Sequence, residues 1–145
     1  MKVIRKNVYY CDFCKKKGLA GGAMKTHEKH CTLNPNRHCR MCQMSTTIEE
    51  TVQEYKSRFE LIPNEPKFIS EIGNMDEFIV KWIGEPITIK ELMETHDNCP
   101  TCILAILRQT GMNKHYFHFE YDYQTEFARA MIDKKQREED DRSPY

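Results

Sequence analysis

A mostly helical α+β fold is what this sequence predicts, and three observations carry that expectation. Cysteine and histidine recur at short, fixed spacings in residues 8–42, and a further cysteine pair stands at 99–102. Capping residues precede several stretches whose apolar side chains repeat every three to four positions. One late stretch instead alternates apolar and polar side chains, the period of a strand. At 145 residues the chain suits one domain, or a small domain with an appendage. Charged residues are 30% of it and mean hydropathy is -0.73. No apolar run approaches the ~20 residues of a membrane span, and the polar start lacks the pattern of an export signal. A cytoplasmic, reducing setting is therefore expected, in which seven cysteines point to metal rather than to disulfides.

The elements follow in order. Residues 1–34 form a basic head, and residues 35–135 a helical body. Residues 136–145, ending in Glu138, Glu139, Asp140 and Asp141, form an acidic tail expected to be disordered. After the head, Thr46 with Glu49, or Thr47 with Glu50, makes a capping-box start for a helix with Ile48, Val52, Tyr55 and Phe59 on one face. Pro63 and Pro66 stop it. Asn74 caps a second, short helix presenting Phe78, Ile79, Trp82 and Ile83, and Thr88 with Glu91 opens a third that runs to about His96. Pro100 opens the most apolar segment, Ile103 to Leu107, closed by Gly111, which reads as the central buried helix. Phe117, Phe119, Tyr121 and Tyr123 alternate with polar residues as a half-buried strand, and a last helix carries Phe127, Met131 and Ile132.

The chemistry lies in two sets of ligands. Cys11 and Cys14 are separated by two residues, then twelve residues pass, then His27 and Cys31 stand four apart on a helix. Such a knuckle and helix can close a tetrahedron of soft ligands about one zinc ion. His30, three residues from His27, is a rival that fits helical spacing less well than Cys31. The second set is Cys39 with Cys42 and Cys99 with Cys102, two identical knuckles left when the first set is complete. Cys102 then falls in a first helical turn, where the helix dipole favours thiolate. A redox role for Cys99 and Cys102 would need a preceding strand, which residues 92–98 do not resemble, and no nuclease signature accompanies His27.

The spacing of Cys11, Cys14, His27 and Cys31 resembles the two-cysteine, two-histidine zinc finger in its variant ending in cysteine, over about residues 8–31. That resemblance implies a ββα-like head holding one Zn2+. The four-cysteine site, read from its spacing, is expected to join that head to the helical body, giving two Zn2+ per chain. Met24 stands where the family keeps a leucine, and Gly18 where it keeps an aromatic, so Leu19 or Phe13 is expected to fill the small core. Residues 27–37, with the later CxxC pair and apolar helix, also look like small zinc-finger proteins of phages and bacteria, which implies a zinc fold inside a cell (host cytoplasm if phage-encoded).

Charge then bears on function. Residues 1–44 hold ten Lys/Arg against Asp12 and Glu28, a net +8, so the remainder of this neutral chain carries −8. Base-reading positions of a finger helix fall at Ala20, Ala23 and Thr26, and two alanines cannot make the bidentate hydrogen bonds that discriminate bases. Lys15, Lys16, Lys17, Lys25, Lys29, Arg37 and Arg40 remain, suited to phosphates with little sequence preference. The expected partner is thus a nucleic-acid backbone or, alternatively, a protein surface, with no membrane and no small-molecule substrate. Both ligand sets are closed and no nucleophile or carboxylate pair stands out, so no enzymatic activity is expected.

Overall fold

The computed structural model describes residues 1–42, 48–63, 78–112 and 121–142. The head begins with two short strands, β1 (Tyr9–Tyr10) and β2 (Lys17–Gly18), paired antiparallel with Tyr9 opposite Gly18. Helix α1 (Gly21–His30) follows and packs on both strands. Two glycines open it and Ala20 offers no capping side chain. Ten residues with that start make a marginal helix by themselves. The head's buried cluster is small: Cys11, Met24 and Cys31, with Cys14 and Leu33 against them. Leu19 and Phe13, expected in that core, are instead exposed. The space over Gly18 is taken by Met24, whose Cε would lie 3.1 Å from a Cβ at residue 18. A long thioether reaching from the helix thus replaces an aromatic on the strand.

Beyond the connector come α2 (Glu49–Ser57), β3 (Phe59–Pro63) and β4 (Phe78–Trp82), then α3 (Ile89–Thr95), α4 (Pro100–Thr110) and α5 (Tyr123–Arg142). Helix α4 is the hub. Ile103, Ala105, Ile106 and Leu107 are buried in one cluster with Ile48 at the start of α2, Val52 and Tyr55 on it, Ile87 before α3 and Leu92 on it, and Met112. Each large aliphatic side chain so covered contributes about 1.5–3 kcal/mol. Gly111 ends α4 in the left-handed conformation, φ 81°, as expected of a glycine at that place. Thr88 caps α3, its Oγ1 accepting from the Glu91 N–H at 3.2 Å.

The body departs from the helical expectation at one place. Phe59 does not continue α2, and Phe78–Trp82 is not a helix: these segments are β3 and β4, paired antiparallel from Phe59 opposite Trp82 to Pro63 opposite Phe78. Phe59 and Trp82 meet edge to face with centroids 6.1 Å apart, and Leu61 and Val80 lean on the core from the same ribbon. Phe, Ile and Val are strong strand formers, and cross-strand pairing outweighs their helical spacing. The expected cap Asn74 and Pro66 lie outside the described residues, as do residues 117–120 of the alternating stretch. Its end is not a strand, since Tyr123 already opens α5. That helix continues to Arg142 and so takes in residues 136–142.

Candidate metal centres

Each knuckle is a backbone device before it is a ligand. The Cys11 carbonyl accepts from the Lys15 N–H at 3.0 Å, and the Cys11 N–H donates to the Lys16 carbonyl at 2.8 Å. Lys15 turns the corner at φ 62° and donates its Nζ to the Asp12 carbonyl at 2.8 Å. Across from it α1 presents His27 and, at its end, Cys31. His27 Nε2 lies 3.2 Å from Cys14 Sγ. Cys11, Cys14, His27 and Cys31 thereby bring their ligand atoms within 4.8 Å of one another. His30 is outside this group: its Nδ1 bonds to the His38 carbonyl at 2.8 Å, which ties the end of α1 to the connector.

The second group joins distant parts of the chain. Cys39 and Cys42 come from the connector, Cys99 is the N-cap of α4, and Cys102 is in its first turn. Their four sulfurs also lie within 4.8 Å of one another, with Cys39 to Cys99 at 3.6 Å and Cys42 to Cys102 at 3.7 Å. These separations are far beyond a sulfur–sulfur bond of ~2.05 Å. They match the ~3.8 Å edge of a tetrahedron whose metal–sulfur bonds are ~2.3 Å. The Thr101 hydroxyl sits between Cys39 Sγ at 3.0 Å and Cys99 Sγ at 3.3 Å. The chain before Cys99 is helix α3 and a turn with Asp97 and Asn98 at positive φ, not the buried strand that precedes a redox pair.

Electrostatics test whether a dication suits these groups. In the first, burial works to raise the Cys14 thiol. Hydrogen bonds from the Lys16 backbone and His27 nevertheless bring it down to about 6, while burial and its sulfur neighbours push Cys31 up to about 11. In the second, hydrogen bonds from Cys102 and Cys99 drive the Cys39 thiol far down, and the same cluster, through Cys39 and Cys99, drives Cys102 far up. Protein groups alone therefore stabilise one thiolate in each cluster and oppose the next. A divalent cation removes that opposition. Arg37 gives an independent observation. It is 4% exposed, its Nη1 donates to Cys102 Sγ at 3.7 Å, and its Nε is buried without a hydrogen-bond partner. A buried guanidinium beside four neutral thiols would be uncompensated. Beside four thiolates on a dication, a net charge of −2, its own charge would be compensated. Both donor sets fit Zn2+, with thiolate and imidazole as the only ligands.

Of the other expected residues, Lys15, Lys16, Lys17, Lys25, Lys29 and Arg40 lie at the surface, and none forms an ion pair among the described residues. Arg37 departs from its expected surface role, because the connector folds it inward onto Cys102. Charge alone assigns Arg37 to the surface; its position two residues before Cys39 is the signal in the sequence that points inward. The head is also stitched to the far end of α4: Arg108 Nη1 donates to Thr32 Oγ1 at 2.7 Å, and Gln109 Nε2 donates to the Thr32 carbonyl at 2.9 Å. No helix among the described residues is long and apolar enough to cross a membrane. No protein-family model, curated protein or solved structure matches this chain.

Proposed function

We propose that the chain is a zinc-held, non-enzymatic binding protein of the cytoplasm, and that its basic head contacts nucleic-acid phosphates with little sequence preference. In this reading the head is a finger of the Cys-Cys-His-Cys kind, built from β1, β2 and α1, as in the small zinc-finger proteins of phages and bacteria. Its ligand sets are closed, so zinc supplies rigidity and no open coordination position. The observation that carries the reading is the group of surface cations Lys15, Lys16, Lys17, Lys25 and Lys29, joined by Arg40, on a head fixed to the body at both ends of α4. Ala20, Ala23 and Thr26 support the lack of sequence preference, and the Thr26 hydroxyl already donates to the Gly22 carbonyl at 3.1 Å.

A salt titration of binding to a labelled duplex tests it. Affinity should fall steeply with salt. Replacing Lys15, Lys16 and Lys17 by Gln should flatten the slope by about 0.9 for each phosphate no longer neutralised. Lack of any binding at low salt would overturn the reading. A protein-interaction module would then be favoured, for which the exposed Val3, Ile4, Val8 and Tyr10 offer an apolar edge.

A further inference from the structure

The first half of α5 does not close against the head. Between them lies a cleft of about 440 Å³, bordered by the end of α1, the connector and the start of α4. That volume falls within the roughly 300–1,000 Å³ of ordinary ligand sites. On one side stand two half-buried rings, Tyr123 and Phe127, with centroids 5.6 Å apart and planes tilted by 43°. Around them stand His30, Arg37, Arg40 and Lys134, and among the described residues no carboxylate lines the cleft. Arg37 already faces Cys102, whereas Arg40 and Lys134 form no ion pair among the described residues. An occupant must therefore bring a flat apolar face for the rings and negative charge for the two cations.

A nucleotide has both in one unit. Within a duplex its base is paired and stacked, so only an unpaired nucleotide can place that base in a cleft. We propose that this cleft takes one unpaired nucleotide of a single strand, with the base against Phe127 and Tyr123 and its phosphate between Arg40 and Lys134. His30, Arg37 and Arg40 belong to the head and its connector, so the cleft extends the basic surface rather than standing apart from it. The inference rests on the nucleic-acid reading above and narrows it to single strands.

The test uses the full zinc-loaded chain with a labelled single strand of about 15 nucleotides and a hairpin duplex of the same sequence. The single strand should bind about tenfold more tightly than the duplex. Phe127→Leu keeps an apolar side chain but removes the ring, and should cost single-strand affinity about tenfold while leaving duplex affinity unchanged. Arg40→Ala should weaken single-strand binding and reduce its salt slope. Photo-crosslinking of the wild-type chain to an iodouracil-bearing strand needs no variant, and should label the peptide holding Tyr123 and Phe127.

Unchanged single-strand binding in both variants, with crosslinks confined to residues 15–29, overturns the cleft and leaves the head reading standing. Failure to bind either nucleic acid at low salt overturns both. A nucleoside monophosphate that binds as tightly as the strand makes the cleft a small-molecule site and overturns the proposal. A polyglutamate peptide that does so overturns it too, because charge alone then suffices.

Discussion

At the scale of single residues, the informative ones serve two tasks or a task their type did not announce. Arg37 looks in sequence like one more surface cation, yet it is buried against Cys102 Sγ. With zinc bound, its guanidinium would offset the charge of the four thiolates, so Arg37→Leu should weaken zinc at the second centre by about 10- to 100-fold. Competition with a chelator measures this, and unchanged zinc retention would contradict the role. Asp122 is a second case. Its Oδ1 accepts from the Gln124 and Thr125 N–H groups at 3.1 and 3.3 Å, and its Oδ2 from the Thr125 hydroxyl at 2.6 Å. The Thr125 side chain, then the Thr125 and Gln124 backbone, hold this carboxyl below its ordinary value. A depressed carboxyl gives its full stabilisation above its ordinary pKa, near ~4, and loses it as pH falls through the lower folded value. Asp122→Ala should therefore fray the start of α5 at neutral pH, and the difference from wild type should close below about pH 4. Amide exchange at residues 124–126 reads both effects.

At the scale of elements, α4 carries the core. Ile106 is fully covered, so Ile106→Ala should cost about 2–5 kcal/mol in denaturant unfolding of the zinc-loaded chain. Thr88→Ala should cost about 1 kcal/mol by uncapping α3. A near-zero effect of Ile106→Ala would show that α4 is not the hub. The starts and stops of α3 and α4 are legible in the sequence because their causes are local: Thr88 with Glu91, Pro100, and Gly111. Both ligand sets are legible because short spacings place donors on one knuckle or one helical turn. The β3–β4 ribbon is not. Phe78, Ile79, Trp82 and Ile83 repeat at helical spacing, and only pairing with a distant upstream segment, Phe59–Pro63, makes Phe78–Trp82 a strand. Short apolar runs carry that ambiguity wherever non-local pairing decides. The head's core departs from expectation for a similar reason, since Met24 fills the place of an aromatic from another element.

At the scale of the molecule, the four-cysteine group brings the connector that follows the basic head onto the central helix of the body. Cys39 and Cys42 bring the connector to the first turn of α4, while Thr32 meets Arg108 and Gln109 at its last. The head's helix is short and begins with two glycines, and its buried cluster is little more than its own ligands. Structural zinc commonly supplies on the order of 10 kcal/mol of apparent binding energy, far above what such a cluster could offer. Cys102→Ser should accordingly loosen the whole chain, not the second centre alone, and speed amide exchange in both α1 and α4. If only residues near Cys102 respond, head and body are independent. The most direct test of the metal-held architecture is native mass spectrometry of the folded chain, combined with thiol alkylation under the same conditions. Two zinc ions per chain with all seven cysteines protected is the predicted result. One zinc or none, with Cys39, Cys42, Cys99 and Cys102 alkylated in the folded protein, would contradict it.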